Sequence, residues 1–298
     1  MTKQKKLHMN NVAKFSYIFF AIATIIFLFP MYLAIVVSIT SEESILHNGY
    51  QLIPESFSFE AYKLLFTHYG RNLGRALMLT IGTGVLQPVI SIFLTMCMAY
   101  PISQSDFKGR EFWRKFLVIT MLFNGGLVPT YILYTRFLGL KDSILVYLLP
   151  GIGAWNVFLF RTFFVNIDKS MVESAKIDGA NKLQILLKIM LPLTKPLVAM
   201  NFFSGFLSRW NDIETPLYYI SKRDLYTVQF LLQEMLRSIE ATMEMIKMGF
   251  SAGMNVIDIP VDSTRFALAV IGAIPALILF PFLQKYYAKG IAVGSTKG

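Results

Sequence analysis

The stretch that decides the fold is Ser170–Pro196, with the sequence SMVESAKIDGANKLQILLKIMLPLTKP. Ser170 and Glu173 have the spacing of a capping box, which predicts that a helix begins there. Gly179 stands where a C-cap glycine would end that helix, because glycine accepts a positive φ without a Cβ clash. The first half of the stretch is therefore predicted to be a short helix that ends in a tight turn.

A second short helix is predicted directly after this turn. Asn181 and Gln184 have the types and the spacing to cap its first turn. Pro192 is expected to stop it, since the residue before a proline is pushed out of the α region. A short, well-capped helix pair between apolar segments is suited to contact with a partner outside a membrane.

The composition of the chain places this helix pair in a membrane protein. Of the 298 residues, 55% are hydrophobic and only 15% are charged, with a mean hydropathy of +0.54. These values predict an all-α polytopic membrane protein. The lone Cys97 excludes an intrachain disulfide, and His8, His47 and His68 show no metal-ligand spacing, so no metal site is predicted.

Long apolar runs predict six transmembrane helices, each long enough for a hydrocarbon core of about 30 Å. The predicted spans are 15–40, 76–101, 116–135, 143–162, 193–220 and 266–286. They form one transmembrane domain, 15–288, between short tails of residues 1–14 and 289–298. The main predicted loops are 42–75 and 221–264 on one face, and 165–192 on the other.

The sidedness of the six spans follows from the distribution of basic residues. Residues 1–14, 106–115, 161–195 and 285–298 together hold 17 Lys and Arg against 5 Asp and Glu, whereas the rest of the chain holds 11 against 13. The positive-inside rule therefore places both termini and the opening stretch in the cytoplasm. This topology accounts for the net charge of +10, so the predicted surroundings are the lipid bilayer of the cell membrane and no nucleic acid.

Two of the apolar segments carry unusual residues. The third predicted span contains the Asn124–Gly126 run and Pro129, which indicate either a broken helix beside a transport path or a kink with close helix packing. The fifth span contains Arg209 and Asp212 in its outer half. Ionisable groups at that depth usually pair or face water, so the spacing indicates either an ion pair or a span that ends before these residues and leaves them in water.

No motif for covalent chemistry stands in the sequence. It contains no G-x-x-x-x-G-K-[ST] phosphate loop, no dinucleotide-binding glycine run and no nucleophile–base arrangement. We therefore predict no catalytic residue and no enzymatic activity. Energy for uphill transport would have to come from a partner protein or from an ion gradient.

The opening stretch also carries a Glu-x-Ala pattern, then a glycine turn and a Leu-Pro exit. Its residues are Glu173, Ser174, Ala175, Asp178, Gly179, Ala180, Ile189, Leu191, Pro192 and Pro196. In this pattern it resembles the cytoplasmic loop of ABC importer permeases, where the position of Ser174 usually holds alanine. The resemblance implies a coupling helix that fits a groove on an ATPase subunit, with Glu173 meeting a basic residue there.

The resemblance extends over the whole chain. Three further features carry it: the Trp210–Asp212 run followed by Pro216 and Leu217, the sequence FNGGLVPTY at 123–131, and the tail residues Gly290, Gly294, Lys297 and Gly298. The chain is thereby similar to the six-span, maltose-type carbohydrate permeases. This implies a permease subunit that moves an oligosaccharide, derived from a complex polysaccharide or glycan, into the cytoplasm by alternating access.

The same resemblance implies the partners of the chain. They are a second homologous permease, two ATPase subunits and an extracytoplasmic sugar-binding protein that would meet the loop 221–264. No cofactor is expected on this chain, because ATP and Mg²⁺ would bind the partner ATPase, between whose subunits Gly294, Lys297 and Gly298 would insert. Aromatic and amide side chains suit a sugar path, and the candidates are Asn124, Trp155, Asn156, Trp210, Asn211 and Tyr219.

Two other classes of protein are alternatives. An ion-coupled secondary transporter is expected to show internal repeats and ionisable residues near the membrane midplane. A membrane-embedded enzyme needs a group of catalytic side chains at the membrane face. The sequence shows neither feature clearly, and neither alternative accounts for the opening stretch.

Overall fold

The computed structural model describes residues 11–248, 260–274, 277, 278 and 281. In this part of the chain the secondary structure is helical, apart from an isolated β-bridge between Thr40 and Phe57. The all-α prediction is therefore confirmed. The first ten residues, residues 249–259 of the predicted loop 221–264, and the tail 289–298 lie outside the described residues.

In chain order, the helices are α1 (Asn11–Ser38), α2 (Glu42–Asn48), α3 (Glu60–Ser103), α4 (Arg110–Leu122), α5 (Leu127–Ile132) with a π-helical turn (Leu133–Phe137), α6 (Leu145–Leu148), α7 (Ala154–Val165), α8 (Lys169–Ile177), α9 (Lys182–Ile185) with a π-helical turn (Leu186–Met190), α10 (Leu191–Leu193), α11 (Lys195–Trp210), α12 (Glu214–Tyr219), α13 (Val228–Lys247) and α14 (261–274).

The chain divides into two compact units, and the first holds the described residues up to Gly70 together with Glu234–Ile274. Its polar anchor is Glu42, which is only 7% exposed. The carboxylate accepts hydrogen bonds from the backbone N–H groups of Asp262 and Ser263 at 2.9 and 3.1 Å, and from the Ser263 hydroxyl at 2.9 Å. These bonds satisfy first-turn N–H groups of α14, which have no partner within the helix.

The second unit contains Arg71–Gln233. Its core joins the C-terminal part of α3, the helix α7 and the segment from α8 to α10. Phe160 is fully buried there, and its ring lies 6.0 Å from that of Phe164, which in turn meets Tyr100 edge to face at 6.3 Å. The short helices α8 to α10 are therefore part of a packed core rather than a loose connection.

Within the described residues, two helices are long and apolar enough to cross a membrane, namely α1 over Lys14–Ser38 and α3 over Tyr69–Ser103. Two bent pairs raise this number to four if each pair crosses as one span. The pairs are Arg110–Leu122 with Leu127–Phe137, bent by 110°, and Lys182–Leu193 with Lys195–Trp210, bent by 84°. The predicted number of six spans stays a prediction.

The described helices differ from the predicted segments at three places. α3 begins at Glu60, within the predicted loop 42–75, because residues 60–75 contain no proline and many good helix formers. The segment 143–162 is divided into α6 and α7 by a Pro-Gly-Ile-Gly run at 150–153. The segment 193–220 is divided after Trp210, where the polar Asn211 and Asp212 follow.

The third predicted span is broken at Asn124–Gly126. The helix ends at Leu122, Gly126 takes a φ of +82°, and its N–H donates to the Asn124 side-chain oxygen at 2.9 Å. Such a bond to the side chain offers the backbone an alternative to the helix. The run therefore produces a true break and not a gentle kink.

Candidate functional site

The helix α8 begins two residues earlier than predicted. Its N-cap is Asp168, whose carboxylate accepts the Ser170 backbone N–H at 3.0 Å. The predicted capping box of Ser170 and Glu173 is therefore wrong, because Ser170 is already inside the first turn. The hydrogen bonds from Ser170 hold the pKa of the Asp168 carboxyl below its usual value.

The turn after α8 has the geometry that a glycine requires. Gly179 has a φ of +81°, as predicted, and its N–H donates to the Lys176 carbonyl at 3.1 Å. The Ala180 N–H donates to the Ala175 carbonyl at 2.9 Å. This pair of bonds is a Schellman motif, and both alanines also pack against the core. The turn is therefore a defined structure rather than a flexible link.

The second helix starts with the predicted capping box. The Asn181 side chain accepts the Gln184 backbone N–H at 2.8 Å, and the Gln184 side chain accepts the Asn181 backbone N–H at 2.8 Å. The prediction that Pro192 stops this helix is wrong, since helical structure continues to Leu193. A π-helical turn before it shifts the hydrogen-bond register, so Pro192 occupies a first-turn position that needs no N–H.

We refer to α8, the Gly179 turn and α9 as the capped loop (169–185). One side of it is anchored, because Val172 and Ile185 are buried in the core of the second unit. The other side faces outward, and its most exposed apolar side chain is Ile177, at 86%. Of the residues predicted for ATPase coupling, Ala175, Ala180 and Leu191 are half-buried, while the exposed ones are Glu173, Ser174, Asp178, Gly179 and Pro192.

The direction of the capped loop follows from the bend at Thr194. The helical run Lys182–Leu193 meets α11 at 84°. Thr194 is buried at this corner, and its hydroxyl donates to the Met190 carbonyl at 2.8 Å. If α11 crosses the membrane, the run before it lies along the membrane surface, with the exposed face of the capped loop directed away from the bilayer.

A polar cavity of about 420 Å³ lies between α3, α7 and α11 in the second unit. The helices α3 and α11 approach closely beside it, because a Cβ added to Gly205 would lie 2.9 Å from the Pro88 ring. Most of the lining consists of hydroxyl and amide side chains, with one ion pair: Gln87, Ser91, Thr95, Asn156, Asn201, Ser204, Ser208, Arg209, Asp212 and Thr215. This lining can form many hydrogen bonds with a polyhydroxyl compound.

The ion pair of this cavity is the predicted one. The Arg209 guanidinium donates to the Asp212 carboxylate, and both side chains are largely buried. Asp212 also accepts the Thr215 backbone N–H at 3.0 Å, at the start of α12. The guanidinium lies 5.6 Å from the centre of the Tyr147 ring. The pair therefore ties together α11, α12 and α6 at one end of the cavity.

The candidates for a sugar path fall in different places. Asn156 lines the polar cavity. Trp210 is buried and stacks on Phe206, and Tyr219 is buried and stacks on Tyr131. Outside the cavity lie Asn124 at the helix break, the exposed Trp155, and Asn211, whose amide donates to the Leu207 carbonyl.

Most of the polar lining was not predicted from the sequence. A signal was available, because Gln87, Ser91 and Thr95 follow one another at intervals of four residues in an apolar segment. Residues at that interval lie on one face of a helix. Asn201, Ser204 and Ser208 form a similar stripe on α11. The predicted ATPase-contacting residues Gly294, Lys297 and Gly298 lie outside the described residues.

Comparisons with known proteins agree with this architecture. The family of binding-protein-dependent transport system inner membrane components matches residues 9–293. The polygalacturonan/rhamnogalacturonan transport system permease protein YtcP of Bacillus subtilis is 34% identical over 95% of this chain and 96% of its own length. Protein LplC of the same organism is 32% identical over 90% of this chain and 89% of its own length.

A solved structure extends the likeness to the fold. The crystal structure of a bacterial ABC transporter involved in the import of the acidic polysaccharide alginate contains a chain that is 26% identical to this one. It matches with a TM-score of 0.76 over 96% of this chain and 100% of that one. Together with the family match, these likenesses favour an ABC importer permease over an ion-coupled transporter. The chain belongs to the family of inner membrane components of binding-protein-dependent transport systems.

Proposed function

We propose that this chain is one of two permease subunits of an ATP-driven importer that carries an oligosaccharide into the cytoplasm. The observation that carries the proposal is the capped loop, which is fixed on one side in the core and presents an exposed face on the other. The family match supports the class of transporter. The chain supplies the path, and partner ATPase subunits hydrolyse ATP with Mg²⁺.

The capped loop has the mechanical properties that coupling to an ATPase requires. A rigid helix docked on a partner transmits a displacement, whereas a flexible segment would absorb it. Asp168, the Schellman motif at Gly179 and the capping box of Asn181 and Gln184 fix each end of its helices. Buried Val172 joins the loop to α7 and α3 through the core. A movement imposed on the exposed face is therefore passed to helices that line the polar cavity.

The polar cavity supports a sugar as the transported compound. Hydroxyl and amide groups both donate and accept, so they match the mixed hydrogen bonding of a sugar ring. Arg209 is compensated by Asp212, which leaves the cavity without an excess of charge. We propose that one face of the oligosaccharide passes Asn156, Asn201 and Ser208. The names of the relatives support fragments of a complex polysaccharide as the substrate.

The family match supports a multisubunit assembly. We propose a second, homologous permease, two ATPase subunits and an extracytoplasmic binding protein as partners, with both termini of this chain in the cytoplasm. The tail residues Gly294, Lys297 and Gly298 are proposed to contact the ATPase subunits. In this arrangement Glu173, exposed beside Ser174, faces a basic residue of the ATPase.

The experiment that tests the proposal uses the turn at Gly179. Membranes in which the chain is expressed together with a homologous permease and an importer ATPase of the same organism are solubilised, and the subunits that co-purify are measured. Gly179→Val forces a β-branched residue to a φ of +81°, which costs about 1–2 kcal/mol. The turn is otherwise open, with no atom within 4 Å of an added Cβ. The expected result is loss of the ATPase and retention of the second permease.

The matched control is Gly179→Asn, because asparagine tolerates the left-handed region far better than valine. This variant is expected to retain most of the ATPase and of the substrate-stimulated ATP hydrolysis. Wild-type chain that retains no ATPase, or Gly179→Val that retains it fully, would contradict the proposed function.

A further inference from the structure

A second cavity, of about 570 Å³, lies between the end of α3 and the capped loop. It differs from the polar cavity, since most of its wall is apolar. Tyr100 and Pro101 line it from the last turn of α3, and Leu183 and Leu186 line it from α9 and the π-helical turn. Its volume is in the range of cavities that hold a small ligand or part of a lipid.

The rim of this cavity is strongly basic. Lys108 comes from the segment after α3, Lys176 from α8 and Lys182 from α9, and Asp106 is the acidic residue of the lining. None of the three lysines forms an ion pair with another described residue. Three exposed ammonium groups around an apolar wall are complementary to a molecule with an anionic head and an apolar body.

The position of the cavity indicates what such a molecule is. The membrane candidate within α3 ends at Ser103, so the wall residues Tyr100 and Pro101 lie at its last turn and Lys108 lies just beyond it. The run Lys182–Leu193 meets α11 at 84°, which places it along the membrane surface if α11 crosses the bilayer. If α3 and α11 cross the bilayer, the cavity lies at the depth where lipid headgroups meet the acyl chains.

We propose that this cavity binds one anionic phospholipid, with the phosphate among Lys108, Lys176 and Lys182 and an acyl chain against Leu183 and Leu186. A free phosphate ion would use the lysines but leave the apolar wall without a role. The proposal does not rest on the proposed function, because it needs only the membrane and the described residues.

A lipid bound here would contact both sides of the Gly179 turn. Lys176 precedes the turn and Lys182 follows it, while Lys108 belongs to the segment after α3. One headgroup held by all three lysines would fix the capped loop relative to α3. The anionic lipid content of the membrane would then influence how firmly the loop is held.

The test is native mass spectrometry of the full chain, purified in mild detergent and titrated with phosphatidylglycerol or with phosphatidylcholine of the same acyl chains. The wild-type chain is expected to retain phosphatidylglycerol in preference. Replacing Lys108, Lys176 and Lys182 together by Gln should lower this retention about tenfold or more, because each lysine near an anionic surface contributes measurably to binding. All three are exposed, so the variant is expected to fold.

Two matched variants separate this site from general charge effects. Replacing Lys14, Lys115 and Lys188 by Gln removes the same charge outside the cavity and should leave retention unchanged. Leu183→Trp fills the apolar wall without changing charge, and it should weaken retention as well. Inorganic phosphate in excess should not displace the lipid.

Four results would overturn the proposal. They are equal retention of phosphatidylglycerol by the wild type and the cavity variant, an equal loss in the control variant, unchanged retention in Leu183→Trp, and displacement by phosphate. None of these lipid-retention measurements uses ATP or transport, so their results are independent of the proposed function.

Discussion

At the scale of single residues, Ile177 is the side chain that tests the exposed face of the capped loop. It is 86% exposed beside the Gly179 turn. Covering an isoleucine side chain with a partner is worth about 1.5–3 kcal/mol. We expect Ile177→Ser to lower the ATPase retained in co-purification at least about tenfold, while the thermal midpoint of the chain stays unchanged because no internal contact of consequence is lost.

Ile177→Leu is the control for this prediction, since it keeps an aliphatic surface of the same size. It should retain the ATPase. Equal retention by Ile177→Ser and the wild type would place the contact surface elsewhere on the loop.

The pair of Arg209 and Asp212 leads to a prediction about stability. Both side chains are largely buried, at 13% and 12% exposure. Removing one partner leaves an uncompensated charge, which costs about 3–5 kcal/mol. We expect Arg209→Met to lower the thermal midpoint in detergent strongly. We expect Arg209→Met combined with Asp212→Asn to cost less than the sum of the two single changes.

The control for this cycle is Arg75→Met. Arg75 pairs with Asp224 at 2.6 Å, but those side chains are 55% and 72% exposed. Exposed pairs contribute about 0–1 kcal/mol, so the midpoint should hardly move. Additive effects within the Arg209 cycle, or an equal loss in Arg75→Met, would contradict the prediction.

At this scale the sequence was most informative where partners are near in the chain. Gly179, the Asn181–Gln184 box and the Arg209–Asp212 pair depend on spacings of three residues or on one backbone conformation. The predicted N-cap at Ser170 is wrong because Asp168 and Ser170 both suit a cap, and only the folded structure shows which side chain accepts the N–H. Asn156 could be named from its type, but its place in the cavity depends on three helices.

At the scale of elements, the break in the third predicted span offers a matched pair of glycines. Gly126 has a φ of +82°, whereas Gly125 does not adopt a positive φ. No atom lies within 4 Å of a Cβ added to Gly126, so a substitution there tests the backbone alone. We expect Gly126→Ala to cost about 1–3 kcal/mol, because a positive φ with an extended ψ is nearly restricted to glycine, and Gly125→Ala to have little effect, as measured by thermal midpoints in detergent.

The pair also reports on function. If the break matters for transport, Gly126→Ala should lower oligosaccharide uptake more than Gly125→Ala, with equal amounts of both variants in the membrane. Equal midpoints for the two variants would show that the positive φ at Gly126 contributes nothing to the difference in stability.

The errors in the predicted elements have a common physical origin. A run of apolar residues defines where a span can lie, but it does not show where the helix axis turns. Pro192 is tolerated because a π-helical turn precedes it, and α3 extends back to Glu60 because its polar first turns still favour helix. Both outcomes depend on hydrogen-bond register and propensity rather than on hydropathy.

At the scale of the whole molecule, the polar cavity is the feature that the sequence indicated least. Polar stripes on α3 and α11 can be found from their spacing. The sequence does not show whether the two stripes face each other, because this depends on how α3 and α11 pack. The two helices approach closely where Gly205, which has no side chain, lies against the Pro88 ring. In contrast, the sequence alone indicates the membrane class through its composition and the family through one local motif. Composition and a local motif do not depend on how the helices pack.

The sidedness of the chain is the last prediction, and α11 provides the test. The helix has 16 residues, about 24 Å at 1.5 Å per residue, and a polar segment at each end. Ser174 is exposed in the capped loop before it, and Ser221 is exposed after it. The excess of basic residues predicts that Ser174 is cytoplasmic and Ser221 extracytoplasmic.

A Cys97→Ala chain serves as the background, because Cys97 is the single cysteine. With Ser221→Cys in this background, a membrane-impermeant maleimide should label intact cells or spheroplasts. With Ser174→Cys, it should label only inverted vesicles, whereas the background chain should remain unlabelled in both. The Ser221 backbone N–H donates to Asp142, and a cysteine preserves this bond. Labelling of Ser174→Cys from outside would invert the topology and separate the capped loop from any cytoplasmic ATPase.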